Sequence, residues 1–272
     1  MSLTALEWAG GKGANSWPQG PWIASLLPAD LNVCWIELYG GMGGQTLQRQ
    51  PSKQEILNDY DLMVINWWEQ VRNNVEELIR LLELTPHSRV EYYTARSLLL
   101  SGEHMSPVEK ARLFTVAIDS GITKTVARAG FSVRYSTQAG HRRKVGYWEQ
   151  KLSALAVRLK TVTLECRNAV EILDRVKNEP QCVIYCDPPY PTACDIYGNA
   201  ELDVEATTEL LLQQKGRVAV SGYDDEWSHL DWQMHECDGL GGGVLGPPDT
   251  IINRRHERLW TNYDAILQEK LF

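Results

Sequence analysis

Asp187-Pro188-Pro189-Tyr190 follows directly on the apolar run Val183-Ile184-Tyr185-Cys186. A carboxylate at the carboxyl end of a buried strand stands where open α/β sheets place their ligand crevices. Two successive prolines fix φ and remove two backbone N–H donors, so the neighbouring carbonyls are held stiffly as acceptors. The ring of Tyr190 adds a flat π-face. Two acceptors beside such a face describe a receptor for an exocyclic amine on a planar heterocycle, adenine N6 or cytosine N4. A strand-end turn, in which Pro-Pro does no more than break the sheet, has the same local pattern.

A second constellation spans Val33-Cys34-Trp35-Ile36-Glu37-Leu38-Tyr39-Gly40-Gly41-Met42-Gly43-Gly44. It reads as a short apolar strand, an acid and a glycine-rich turn, the usual cradle for a nucleotide-like cofactor in a doubly wound sheet. The run Glu55-Ile56-Leu57 ends in Asn58-Asp59, an acid placed where a ribose hydroxyl pair would be held. The loop has neither GxGxxG spacing nor a Walker lysine, which disfavours a nicotinamide dinucleotide or ATP. A glycine turn packed on a helix is the other reading of this segment.

With these motifs the chain resembles the Dam-like N6-adenine DNA methyltransferases of the alpha arrangement, in the compact form carried by phages and prophages. Trp8-Ala9-Gly10-Gly11-Lys12 is similar to that family's opening cofactor motif. Glu37 to Gly43 is similar to its Asp/Glu-Pro-Phe-x-Gly-x-Gly motif, with Leu38 and Tyr39 in place of Pro and Phe. The resemblance implies S-adenosylmethionine as cofactor. It would be held by Trp8, Gly10, Gly11, Lys12, Glu37, Tyr39, Gly40, Gly41, Gly43, Asp59, Asn168 and Asp187, with Glu37 on the methionine ammonium and Asp59 on the ribose. Asn168 stands where the family often has Asp, keeping a hydrogen-bonding group without the charge. Asp187, Pro188, Pro189 and Tyr190 would be catalytic, receiving an adenine flipped out of double-stranded DNA. N4-cytosine methylation suits the same receptor and is the nearest rival. A protein that binds DNA or cofactor without turnover is the non-enzyme alternative, although Asp187 and the glycine loop are both present.

The net charge of −8 is a whole-chain sum, whereas phosphate contact depends on where the cations lie. Between Gly121 and Trp148 stand Lys124, Arg128, Arg134, Arg142, Arg143 and Lys144, with no acid among them. Phe131, Tyr135, Tyr147 and Trp148 are interleaved with them, and glycines punctuate the run. This is expected to be the DNA-binding segment, against the plainer reading of a solvated basic face. The six cysteines lack metal-ligand spacing and read as buried thiols, so no metal is expected.

The elements that must position these groups follow from periodicity. Strands are expected at Glu55–Leu57, Val162–Leu164, Val183–Cys186 and Arg217–Val220, and Arg258–Tyr263 is similar to the family's C-terminal strand. Short helices are expected at Pro21–Leu27 and Val204–Gln214. Val71, Val75, Leu78, Ile79 and Leu82 predict one amphipathic helix from Trp67 to about Leu84. Ser106-Pro107 predicts a helix start before Val108–Ile118. The expected architecture is α/β, a Rossmann-like S-adenosylmethionine-dependent methyltransferase mixed sheet with a mostly helical target-recognition insertion. The catalytic domain would comprise residues 1–66 and 151–272, and the insertion residues 67–150. With 272 residues, 43% hydrophobic content and no apolar span of membrane length or signal sequence, a globular, cytoplasmic protein without an obligate protein partner is expected.

Overall fold

A computed structural model describes residues 3–13, 18–133, 146–189, 203–223, 226–240 and 256–265. Its centre is a seven-stranded mixed sheet of order β3-β2-β1-β4-β5-β7-β6. The strands are β1 Cys34–Glu37, β2 Gln54–Asn58, β3 Val162–Glu165, β4 Cys182–Cys186, β5 Arg217–Tyr223, β6 Gln233–Leu240 and β7 His256–Thr261. The first five run parallel, and β7 then pairs antiparallel with both β5 and β6. This is the expected fold class.

Parallel strands covered on both faces read as continuous apolar runs, as β4 does, with all five residues buried. Alternate side chains nevertheless serve different cores. Ile184 and Cys186 pack among Ala169, Ile172 and Leu211 on one face. Val183 and Tyr185 pack with Ile23 and Leu26 of helix α1, Gln19–Leu26, on the other. Helices α7, Ala169–Val176, and α8, Val204–Leu212, cover the first face.

Five helices intervene between β2 and β3: α2 Leu62–Asn73, α3 Val75–Leu84, α4 Arg89–Ser101, α5 Pro107–Asp119 and α6 Tyr147–Leu159. They share one apolar core with Leu57 and Val162 of the sheet. The single helix expected from Trp67 to Leu84 is two. Asn74, at φ −133° and ψ 35°, leaves the helical region, and its side-chain amide donates to Gln70. Asparagine competes for local hydrogen bonds in this way, and the apolar periodicity carries across the break without registering it. Ser106 does cap α5, accepting from the Glu109 N–H with Pro107 at the first position.

Helix α6 runs through residues assigned in sequence to the basic segment. Trp148, only 2% exposed, packs in the core with Leu152, Leu155 and Leu159, so it is not a surface aromatic available to DNA. Helix α2 likewise spans residue 66 and α6 spans residue 150, so the sequence boundaries of the insertion fall inside helices. Among the described residues no helix is long and apolar enough to cross a membrane.

A buried ion pair ties the helical layer to the sheet. Arg158 on α6 donates through both terminal nitrogens to Glu55 on β2, the second contact at 2.7 Å. The same guanidinium donates to the Thr46 carbonyl at 2.9 Å, so one side chain braces α6, β2 and the glycine loop.

Candidate active site

The strand order reverses between β1 and β4, and a crevice opens at the carboxyl ends of strands at such a switch point. Glu37 ends β1, and Asp187 follows the last residue of β4. The motif acids therefore stand on neighbouring strands although 150 residues separate them in sequence, as 187 − 37 gives.

Glu37 is 3% exposed, and both of its oxygens are engaged. Oε1 accepts from the Gln45 N–H at 3.1 Å, and Oε2 accepts from the Thr46 N–H at 2.7 Å and from the Thr46 hydroxyl. The carboxylate thus fastens the far end of the glycine loop. Burial pushes its pKa up to about 7, against these hydrogen bonds. Asp59 does the same for the near end, Oδ2 accepting from the Gly41 N–H at 2.7 Å and Oδ1 from the Asp61 N–H at 2.8 Å. Its side chain opens onto the crevice and away from bulk water, and burial raises its pKa to about 6. Gly41 adopts φ +46°, a left-handed conformation that glycine takes without strain. Trp68 on α2 supports the loop from below, its indole N–H donating to the Gly41 carbonyl at 2.8 Å.

The N-terminal motif is clamped over this loop. Gln45 and Gln48 donate to the Lys12 carbonyl at 2.7 and 3.2 Å. A Cβ on Gly20 would lie 2.0 Å from the Gly13 carbonyl oxygen, and one on Gly44 would lie 2.8 Å from the Gly13 nitrogen. Three backbone segments cross at a distance that only glycine permits.

Lys12 then extends its ammonium inward, 6% exposed, to 3.2 Å from Glu257 Oε2 and 3.9 Å from Asp187 Oδ1. The Gly10 carbonyl accepts from it at 3.3 Å, and the ring of Tyr223 lies 5.9 Å away. Glu257, on β7 and 1% exposed, belongs to no motif recognised in the sequence. Its only signal is an acid close before the buried run Leu259-Trp260-Thr261.

These groups surround one cavity of about 860 Å³. Trp8, Gly10, Gly11 and Lys12 line it from the N-terminal turn, Glu37, Tyr39, Gly40, Gly41 and Asp59 from β1 and β2, and Asn168, Asp187, Pro188 and Pro189 from the opposite side. Gly43 is not on the wall: a Cβ there would press on Trp68 at 3.2 Å, so its position is one of packing. Asn168 caps α7 through its carbonyl oxygen, which accepts from the Val170 N–H. Tyr190 lies outside the described residues. Further lining comes from Phe114 on α5 and from Thr125, Val126 and Ala127, which the sequence reading did not assign. Among the described residues the lining includes six acidic residues, Glu7, Glu37, Asp59, Asp61, Asp187 and Asp203, against the one lysine, Lys12. Such a cavity favours a cationic guest.

Of the basic segment, Lys124 and Arg128 are described, while Arg134, Arg142, Arg143 and Lys144 are not. Lys124 is turned inward: its ammonium lies 3.1 Å from Glu7 Oε2 and donates to the Asp119 carbonyl at 3.0 Å. Its own carbonyl accepts from the Ala9 N–H, tying this loop to the N-terminal motif. Arg128 is exposed. Arg96 on α4 holds the loop by donating to the Val126 carbonyl at 2.9 and 2.7 Å.

Three comparisons with known proteins bear on this site. Type II methyltransferase M1.LlaDCHI of Lactococcus lactis subsp. cremoris is 32% identical over 138 residues, 47% of this chain and 46% of that protein. The chain thus matches about half the length of that curated relative. The solved structure titled "Putative methyltransferase yhhF from Escherichia coli" matches over 85% of this chain and 77% of that chain at 12% identity and a TM-score of 0.34. The family model of the D12 class N6 adenine-specific DNA methyltransferases matches residues 8–208. That span holds the N-terminal turn, the glycine loop, Asp59 and the Asp187 strand end, and the chain belongs to this family.

Proposed function

We propose that the protein transfers a methyl group from S-adenosylmethionine to the N6 amine of an adenine flipped out of double-stranded DNA. The observation that carries this reading is the convergence of the glycine loop, Asp59 and Asp187-Pro188-Pro189 on one acid-lined cavity. The cavity suits a nucleoside sulfonium: its volume lies within the usual ligand range, and its charge favours a cation. When bound, the cofactor supplies an electrophilic methyl group.

The chain's own groups do the rest. Each Asp59 oxygen already accepts one N–H and keeps capacity for a ribose hydroxyl. Glu37 orders the loop, and with three donors on its two oxygens it keeps about one acceptor site for the methionine ammonium. Asp187 and the Pro188 carbonyl accept the two amine hydrogens and turn the nitrogen lone pair toward the methyl group. Tyr190 stacks on the extruded base. The work is positioning and electrostatic stabilisation. Residues 1–66 and 151–272 form the catalytic unit in this reading, residues 67–150 carry target recognition, and the enzyme works in the cytoplasm.

Asp59 gives a pH signature. Its pKa is raised to about 6, so the acceptor form is lost as pH falls through that value. Affinity for S-adenosylmethionine should therefore rise from pH 5 to 7 through Asp59, and Glu37, raised to about 7, extends the rise beyond it. Asp59→Asn should weaken binding by about 10- to 100-fold, the weight of hydrogen bonds to a charged group, and flatten this part of the profile. Calorimetric titration at four pH values measures both. An unchanged profile in the variant would remove Asp59 from the ribose site.

The DNA contacts are tested by salt. Arg142, Arg143 and Lys144 replaced together by Ala should lower the log–log salt slope of duplex binding by nearly three, at roughly 0.9 per phosphate contact. Cofactor affinity should hardly change. A parental slope in a variant with native circular dichroism would send the phosphate contacts elsewhere.

A further inference from the structure

We propose that Glu257 is a positioning residue for methyl transfer: it tethers the Lys12 ammonium where it acts on Asp187 electrostatically without occupying the carboxylate's acceptor sites. The inference rests on the reading of Asp187 as acceptor of the adenine amine.

The tether is visible in three distances. The ammonium is 3.2 Å from Glu257 Oε2 and 3.3 Å from the Gly10 carbonyl, but 3.9 Å from Asp187 Oδ1. The first two are within hydrogen-bonding reach, and the third is beyond it. An ammonium that closed on Asp187 would take a lone pair the substrate amine needs. One that departed would leave Asp187 and Glu37 as like charges lining one cavity, a repulsion that adds to burial in raising the pKa of Glu37. The observed separation avoids both.

Glu257 is itself placed rigidly. The antiparallel register of β5 and β7 sets it opposite Tyr223, whose ring flanks Lys12. Among the described residues the charged and titratable groups around the ammonium include Asp187 after β4, Glu257 from β7, Tyr223 from β5 and, interacting with Asp187, Glu37 from β1. Tyr185 lies behind, its hydroxyl hydrogen-bonded to Ser221 at 2.6 Å. The cation thus stands between two carboxylates from β4 and β7, the strands that flank β5, and Glu257 is the nearer of the two.

Three variants test this with tritiated methyl transfer to DNA. Glu257→Gln keeps the shape and removes the charge that holds the ammonium back. Its kcat should fall by about 10- to 100-fold, the scale of a small misplacement at a reacting centre, with KM for DNA and cofactor within a few-fold of the parent. Lys12→Met in the Glu257→Gln background removes the released cation, so the double variant should be no slower than Lys12→Met alone: the two losses do not multiply. A merely structural Glu257 would give losses that multiply. Parental kcat in Glu257→Gln, or losses that multiply in the double variant, overturns the proposal. Should Glu257→Gln fail to fold, Glu257→Asp retracts the carboxylate by one methylene. A tenfold lower kcat at unchanged KM then supports the tether, and parental kcat overturns it. Asp187→Ala run alongside separates the two claims: an active Asp187→Ala sinks the acceptor role itself, whereas an inactive one beside a parental Glu257→Gln sinks only the tether.

Discussion

Asp187→Ala is expected to lower methyl transfer to DNA by at least about 10²–10³-fold, the usual cost of removing one preorganised electrostatic group from a reacting centre. Cofactor affinity should stay near the parental value, because the ribose and glycine-loop contacts lie on β1 and β2. The fold should also survive. Lys12 keeps Glu257 as its nearer ion-pair partner, at 3.2 Å, so the substitution strands no buried cation. Tritium transfer gives the rate, calorimetry the affinity and circular dichroism the fold. A near-parental rate would mean that the carboxylate does not receive the amine.

Arg158→Met should be the most destabilising single change in the helical layer. Glu55 is fully buried, and the substitution leaves its charge without the guanidinium that compensates it. Breaking a buried pair from one side costs about 3–5 kcal/mol, and in a chain of this size that corresponds to a Tm lower by roughly 6–20 °C. Changing Glu55 to Gln in the same chain should restore much of the loss, since the orphaned charge is then gone. The defect should also reach the cofactor, because Arg158 holds the carbonyl of Thr46, and Thr46 in turn donates to Glu37. Thermal melts of the single and double variants measure the first effect, and S-adenosylmethionine titration the second. An unchanged Tm in the single variant would show that Glu55 finds water or another cation.

The parts of this molecule that could be read from sequence are those whose physics is local. Strand β4 is legible because a strand buried on both faces must be apolar throughout. Helix α5 is legible because Ser106 and Pro107 satisfy and terminate its first turn. Tertiary packing governs the remainder. Trp148 sits among basic residues and glycines in sequence, yet its burial is decided by Leu152, Leu155 and Leu159, which follow it on α6. Helix α4 was not expected, although Ser88 with Glu91 and the left-handed Gly102 mark both of its ends. Lys124 stands in the acid-free run from Gly121 to Trp148, and in space its ammonium meets Glu7, 117 residues away in the chain, as 124 − 7 gives. The site shows the same division. Asp187, the glycine loop and Asp59 follow their own strands, whereas Glu257 reaches Lys12 through pairing of β7 with β5, a contact that sequence spacing does not encode.

That pairing sets an order of events during synthesis. Glu257 is synthesised 245 residues after Lys12, as 257 − 12 gives, and 67 residues after Tyr190, as 257 − 190 gives. At roughly 5–20 residues per second the nascent chain spends about 3–13 seconds between completing the Asp187–Tyr190 motif and adding the lysine's neutralising partner. Strand β7 is also an inner strand, inserted between β5 and β6, so the sheet closes only when this segment arrives. A polypeptide interrupted before His256 would hold the motifs and lack the completed centre. Newly made chains would then complete this centre only as the last described strand docks.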